Sequence, residues 1–180
     1  MLTLGVDPGK LGAIAAVGGD GGPWVRPIPL IRGRKGSRAE YDLDGVVALL
    51  RRAGFARYRE RTVQRWGELC AFLELTAPLP PKVKQGTNAN YHRGFGRGFL
   101  EGVLRSLRIP YTLVPPRKWQ AEMLEGTTGD DTKQRAIVAA GRLFPGVSLM
   151  PTERSRKPSD GMADALLIAE YGRRRVNGGS

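Results

Sequence analysis

Leu2-Thr3-Leu4-Gly5-Val6-Asp7-Pro8-Gly9-Lys10-Leu11-Gly12-Ala13-Ile14-Ala15-Ala16 opens the chain. An apolar run ends in a carboxylate, turns through Pro8-Gly9, and resumes as a second run rich in small residues. That order reads as a strand, a tight turn and an antiparallel strand. Both runs are apolar at successive positions, as expected for strands covered on both faces in the middle of a sheet. Asp7 then stands at the end of a central strand, where an ion is unfavourable unless it is paired or binds a metal. Asp before Pro-Gly is also ordinary turn chemistry, so the rest of the chain has to decide.

At 180 residues the chain fits one α/β domain, expected over 1–172, with a basic, glycine-rich tail at 173–180. Such a length buries about 70% of the surface of the unfolded chain. No apolar stretch approaches the roughly 18 residues of a membrane span. The N-terminus lacks the basic and apolar regions of a signal peptide, so a cytoplasmic protein is expected. The single Cys70 rules out a disulfide within the chain. Lys and Arg total 29 against 17 Asp and Glu, a formal charge of +12. An excess of this size points to a polyanionic partner, nucleic acid ahead of an anionic membrane.

Beyond the hairpin, Trp24-Val25-Arg26-Pro27-Ile28-Pro29-Leu30 is confined by its two prolines to a sheet edge or an extended segment. Residues 31–40 read as a basic loop, and a helix is expected from Asp42 or Asp44 to Ala53. Arg51, Arg52, Arg57, Arg59, Arg61 and Arg65 form either a solvated face or a phosphate grip. Leu69-Cys70-Ala71-Phe72-Leu73-Glu74-Leu75 repeats the opening design: an apolar strand with a carboxylate, Glu74, at its end. The polar, basic stretch from Thr76 to Asn90, with Lys82 and Lys84, is longer than ordinary connections and reads as a functional loop.

A helix is expected from Tyr91 to Arg108, carrying Gly94, Gly98 and Gly102 on one face. Each glycine costs about 1 kcal/mol in a helix, so this face is expected to meet another backbone closely, within the chain or across a subunit contact. Ile109 to Val114 reads as a strand, followed by a helical turn through Arg117, Lys118, Trp119 and Gln120. Asp131 and Gln134 form a capping pair for a helix over Thr132–Leu143 with Ile137, Val138 and Leu143 inward. Lys133 opposes the helix dipole there, which implies an anion nearby. In the last helix, Asp160 and Asp164 are four residues apart and share a face. Asp160 alone would pass as a cap, whereas Asp164 sits among apolar residues.

Asp7, Glu74, Asp160 and Asp164 would repel one another if they converged without a cation. Mg²⁺ takes oxygen ligands, and two such ions about 3.5–4 Å apart supply the chemistry of phosphodiester cleavage. No Cys/His zinc spacing is present. Asp7-Pro8-Gly9, Glu74 ending a strand, Gly94-Phe95-Gly96-Arg97-Gly98, Lys118-Trp119-Gln120 and the Asp160-Gly161-Met162-Ala163-Asp164 helix resemble, in order, RuvC-type Holliday-junction resolvases, closest to the phage-type branch.

The resemblance implies a ribonuclease H-like fold, a mixed five-stranded sheet with helices on both faces. It implies a homodimeric endonuclease of bacterial or phage-infected cells that resolves four-way and other branched DNA in recombination and repair. Asp7, Glu74, Asp160 and Asp164 are then the ligands of two Mg²⁺ ions per site, with Mn²⁺ as a substitute. Lys82, Lys84, Arg93, Arg97, Arg117, Lys118 and Lys133 are candidate DNA contacts. Leu75-Thr76-Ala77-Pro78 stand where bacterial members carry an aromatic wedge, which implies recognition of branch shape through phosphates. A non-catalytic basic DNA-binding module and an actin-like phosphotransferase, using Asp7 to Gly12 near a nucleotide, remain the rival readings.

Overall fold

Leu2–Val6 (β1) and Ala13–Val17 (β2) pair antiparallel, with Val6 opposite Ile14. The turn between them is closed by Asp7 N–H to the Ala13 carbonyl at 3.0 Å and Gly12 N–H to the Gly9 carbonyl at 2.9 Å. In a computed structural model describing residues 1–31, 39–55, 69–76 and 87–178, this hairpin is the middle of the main sheet. Trp24–Pro27 (β3) pairs antiparallel with β2 and forms an edge, as its proline requires. Leu69–Glu74 (β6) pairs parallel with β1, and Tyr111–Val114 (β7) parallel with β6, giving the mixed order β3-β2-β1-β6-β7. Leu30–Ile31 (β4) and Glu40–Tyr41 (β5) form a separate ribbon.

Strand side chains alternate between two cores. Leu4, Val6, Ile14, Ala71 and Leu73 face the helices Leu43–Phe55 (α1) and Thr87–Ser106 (α2), meeting Val46, Leu50, Leu100 and Leu104. Ala13, Ala15 and Phe72 face the opposite layer, made by Pro116–Met123 (α3), Thr132–Leu143 (α4) and Asp160–Asn177 (α5). The expected α/β architecture with helices on both faces is therefore present.

The α5 helix lies directly on the sheet. A Cβ on Gly5 would overlap the Ala165 carbonyl and the Ala169 amide, so only glycine admits the helix backbone at that point of β1. Small residues in β1 and β2 thus serve the approach of α5, the element that carries two of the candidate acids.

Several expectations need correction. The α2 helix begins at Thr87, four residues before Tyr91, so much of the presumed loop's end is helical. In α4 the inward residues are Ala136, Ala139 and Ala140, while Val138 and Leu143 are 39% and 41% exposed. The alanines let α4 pack close to α5, and that contact sets the buried face more strongly than the larger side chains do. The last helix continues through Arg173-Arg174-Arg175 to Asn177, where a tail was expected. Glu170 pairs with Arg173 and Arg174, and Glu122 with Arg174 and Arg175, which ties this end down. Residues 32–38, 56–68 and 77–86 lie outside the described residues, and with them Arg57, Arg59, Arg61, Arg65, Lys82 and Lys84. None of the helices among the described residues is long and apolar enough to cross a membrane.

Candidate active site

The three elements that carry the candidate acids meet at one end of the sheet. Asp7 directly follows β1, Glu74 ends the adjacent parallel strand β6, and Asp160 and Asp164 occupy the first turns of α5. Parallel pairing in register, Val6 opposite Leu73, puts Asp7 and Glu74 side by side. The α5 start is pressed onto the Asp7 turn: a Cβ on Gly161 would overlap the Leu11 carbonyl and lie 2.9 Å from Asp7 Oδ2. Gly12 is equally constrained, its Cβ position falling 2.8 Å from Asp7 Cγ. Asp160 is not the helix cap. Ser159 takes that role, its hydroxyl accepting from the Met162 N–H at 3.3 Å.

The electrostatics show that these groups sense one another. Burial, opposed by the Gly9 N–H and aggravated by Asp160, pushes the Asp7 carboxyl up to about 6. Burial and then the charge of Asp7 push Glu74 up to about 7, against the indole of Trp119 and the cation of Arg93. Burial followed by the charges of Asp7, Glu74 and Asp160 raises Asp164 to about 8. Asp160 goes the other way. Burial would raise it, but the hydrogen bond and charge of Lys133 outweigh that and hold it below the usual carboxylate range. Lys133 Nζ lies 2.6 Å from Asp160 Oδ2, so the anion implied by a lysine at the α4 start is Asp160.

An all-oxygen set of partly buried, mutually repelling carboxyl groups fits a hard divalent cation in its donor chemistry. Among the described residues, no three acidic, histidine or cysteine side chains are gathered tightly enough to hold a metal ion as they stand.

Neither a family model nor a curated protein matches the chain in sequence. Among solved structures, Thermus thermophilus RuvC in complex with Holliday junction substrate superposes with a TM-score of 0.51 at 13% identity, covering 99% of this chain and 97% of that one. The fold is RuvC-like. A Thermus thermophilus RuvC structure is 18% identical with a TM-score of 0.49, again covering 99% and 97% of the two chains.

Around this end of the RuvC-like sheet the candidate cations divide. Arg93 is exposed and acts on both Asp7 and Glu74. Arg97 is engaged instead, with Nε 3.0 Å from Glu101 Oε1 and Nη1 donating to the Thr76 carbonyl at 3.3 Å. Arg117 and Lys118 are exposed on the first turn of α3. Gly94, Gly98 and Gly102 are exposed on α2, and none of the described residues comes within 4 Å of their Cβ positions.

Gly96, on the other face, has a Cβ position that would overlap the Tyr41 hydroxyl. Tyr41 donates to the Pro8 carbonyl at 2.9 Å and so pins the Asp7 turn from the β5 side. Sequence reasoning did not single out Tyr41 or Ser159, whose roles depend on what they face.

Proposed function

We propose that the protein is a divalent-metal-dependent endonuclease that cuts branched DNA, four-way junctions above all, leaving 5′-phosphate and 3′-hydroxyl ends. The observation that carries this reading is the meeting of Asp7, Glu74 and Asp164, three acids from separate elements, at one end of the sheet, where burial and their neighbours raise each carboxyl. A protein gains nothing in stability from such a cluster; it makes sense as a place for cations in a chain whose formal net charge is +12. The RuvC-like fold supports the same substrate class by analogy of architecture.

In this reading Asp7, Glu74 and Asp164 hold Mg²⁺ or Mn²⁺, with Asp160 at the outer edge. When bound, such ions activate a water and neutralise charge at the scissile phosphate. The remaining work belongs to the chain. Asp7 is kept in place by its Gly9 amide, at 3.2 Å, and by the packed Gly161. Lys133, exposed but anchored on Asp160, supplies a movable positive charge to a non-bridging phosphate oxygen. Arg93, Arg117 and Lys118 hold flanking phosphates, as do Lys82 and Lys84. The open glycine face of α2 is the surface for a second copy, so that a symmetric dimer addresses two opposed strands of a junction.

End-labelled four-way junction, fork and plain duplex, incubated with and without Mg²⁺, test the proposal. Cutting is expected on the branched substrates and only with the metal. Asp7→Asn, Glu74→Gln and Asp164→Asn should each abolish it while leaving junction binding in a gel shift near parental. Normal cutting by those variants would exclude the assigned site, and binding without any cutting by the parent would favour an architectural role.

A further inference from the structure

Trp119 is a large side chain with no exposed surface. Its indole Nε1–H donates to Glu74 Oε2 at 3.3 Å. A tryptophan N–H can only donate, so it needs an acceptor when buried, and here that acceptor is a strand-end carboxylate.

The backbone sets up this meeting. Glu74 pairs in register with Val114, and Leu75 N–H bonds to the Val114 carbonyl at 2.8 Å. Directly after Val114 the chain turns through Pro115, in extended conformation, into Pro116 at the start of α3. Proline suits that position because its fixed φ is helical and its missing N–H is not needed there. One turn later Trp119 folds back over the end of β6. It belongs to the same buried cluster as Phe72, Ala163 and Leu167, so it lies in the layer between β6 and α5. The ring is therefore held by the elements that carry Glu74 and Asp164.

We infer that Trp119 is a positioning residue of the proposed metal site, fixing one oxygen of Glu74 through its indole N–H so that the carboxylate is oriented for a divalent cation. Glutamate has three rotatable side-chain bonds, and a rigid donor in a packed ring removes most of that freedom before a ligand arrives. The inference rests on the metal-dependent reading of the site. It goes beyond that reading by giving a role to a residue that touches neither substrate nor reacting atoms. Outer partners of this kind typically change metal affinity or activity about 10- to 100-fold when removed.

Trp119→Phe keeps a ring and deletes the donor. Mn²⁺ titrated into the DNA-free protein, followed by calorimetry, should bind the variant about tenfold more weakly or worse. The Mg²⁺ concentration for half-maximal cutting should rise in parallel, and junction binding in EDTA should stay parental.

A second readout does not need that variant to fold. In the proton–nitrogen spectrum of the parent protein, one indole N–H should be protected from solvent exchange and should move on adding Mg²⁺ and in Glu74→Gln. Trp24→Phe and Trp66→Phe identify it by elimination. A Trp119→Phe protein with parental Mn²⁺ affinity, or a protected indole peak indifferent to Mg²⁺, overturns the inference even if the parent cuts junctions. A parent that neither binds Mn²⁺ nor cuts overturns both this inference and the proposed function.

Discussion

Gly161, the second residue of α5, rests against Asp7 so closely that a Cβ there would lie 2.9 Å from the carboxylate Oδ2 and overlap the Leu11 carbonyl. The helix that brings Asp160 and Asp164 can reach the strand that brings Asp7 only because this position has no side chain.

Gly161→Ala tests that contact. Helix propensity alone favours alanine by about 1 kcal/mol, whereas forcing a methyl into backbone costs about 1–3 kcal/mol. A net loss of stability in urea unfolding is expected, together with weaker Mn²⁺ binding, because the α5 start must lift from the Asp7 turn. A gain in stability with unchanged Mn²⁺ binding would show that the turn yields freely.

Asp164→Asn should separate stability from activity. Burial, and then the charges of Asp7, Glu74 and Asp160, disfavour the Asp164 charge more than Lys133 favours it. Removing that charge should raise the melting temperature of the EDTA-treated protein at pH 8, while cutting is lost. A large fall in melting temperature would mean that Asp164 is held by partners whose attraction exceeds this repulsion.

How much of this was legible in the chain follows from where each signal resides. Asp7 after an apolar run and before Pro-Gly, and Asp131 followed by Gln134, are local patterns, and both appear as read: Asp131 accepts the Gln134 amide at 2.8 Å. Lys133 opposing its helix dipole correctly announced an anion. Val138 and Leu143 are exposed because side-chain size does not decide the buried face. In fact the neighbouring helix α5, through Ala163 and Leu167, packs against the alanines of α4. Gly94, Gly98 and Gly102 meet no backbone among the described residues, whereas Gly5, Gly12, Gly96, Gly161 and Gly172 are among those crowded within the chain. Which glycine is crowded depends on the element opposite, and spacing along one helix does not encode that. The indole bond from Trp119 to Glu74 joins residues 45 apart. Only the strand register brings them together.

Lys133→Met probes the movable charge. The lysine side chain is 73% exposed, so its pair with Asp160 contributes little to stability, within about 1 kcal/mol for an exposed ion pair. Cutting should fall on the order of 10²-fold, the usual scale for losing one donor to developing charge, with junction binding nearly unchanged. Equal losses in unfolding free energy and in cutting would make Lys133 structural.

Arg117→Ala and Lys118→Ala address the exposed cations at the α3 start. Each should weaken junction binding whatever the sequence, and flatten the slope of log affinity against log salt by about 1. A slope identical to the parent's would place these residues outside the DNA path.

The pH dependence of folding follows from the same acids, with the sign opposite to that of most carboxylates. Asp7, Glu74 and Asp164 are raised to about 6, 7 and 8, above their unfolded values. The folded state therefore binds more protons than the unfolded state between about pH 4 and 8, and stability falls as pH rises through that window. Asp160 and Glu170 are lowered and work the other way, but their contribution is lost only as pH falls through the acid range. In EDTA, the melting temperature should drop from pH 5.5 to pH 8.5. Mg²⁺ offsets the repulsion that causes the drop, so the rise in melting temperature on adding Mg²⁺ should be small at pH 5.5 and larger at pH 8.5. In Asp164→Asn both the drop and the rise should shrink. A Mg²⁺ effect of the same size at every pH would mean that the ion binds away from these carboxylates.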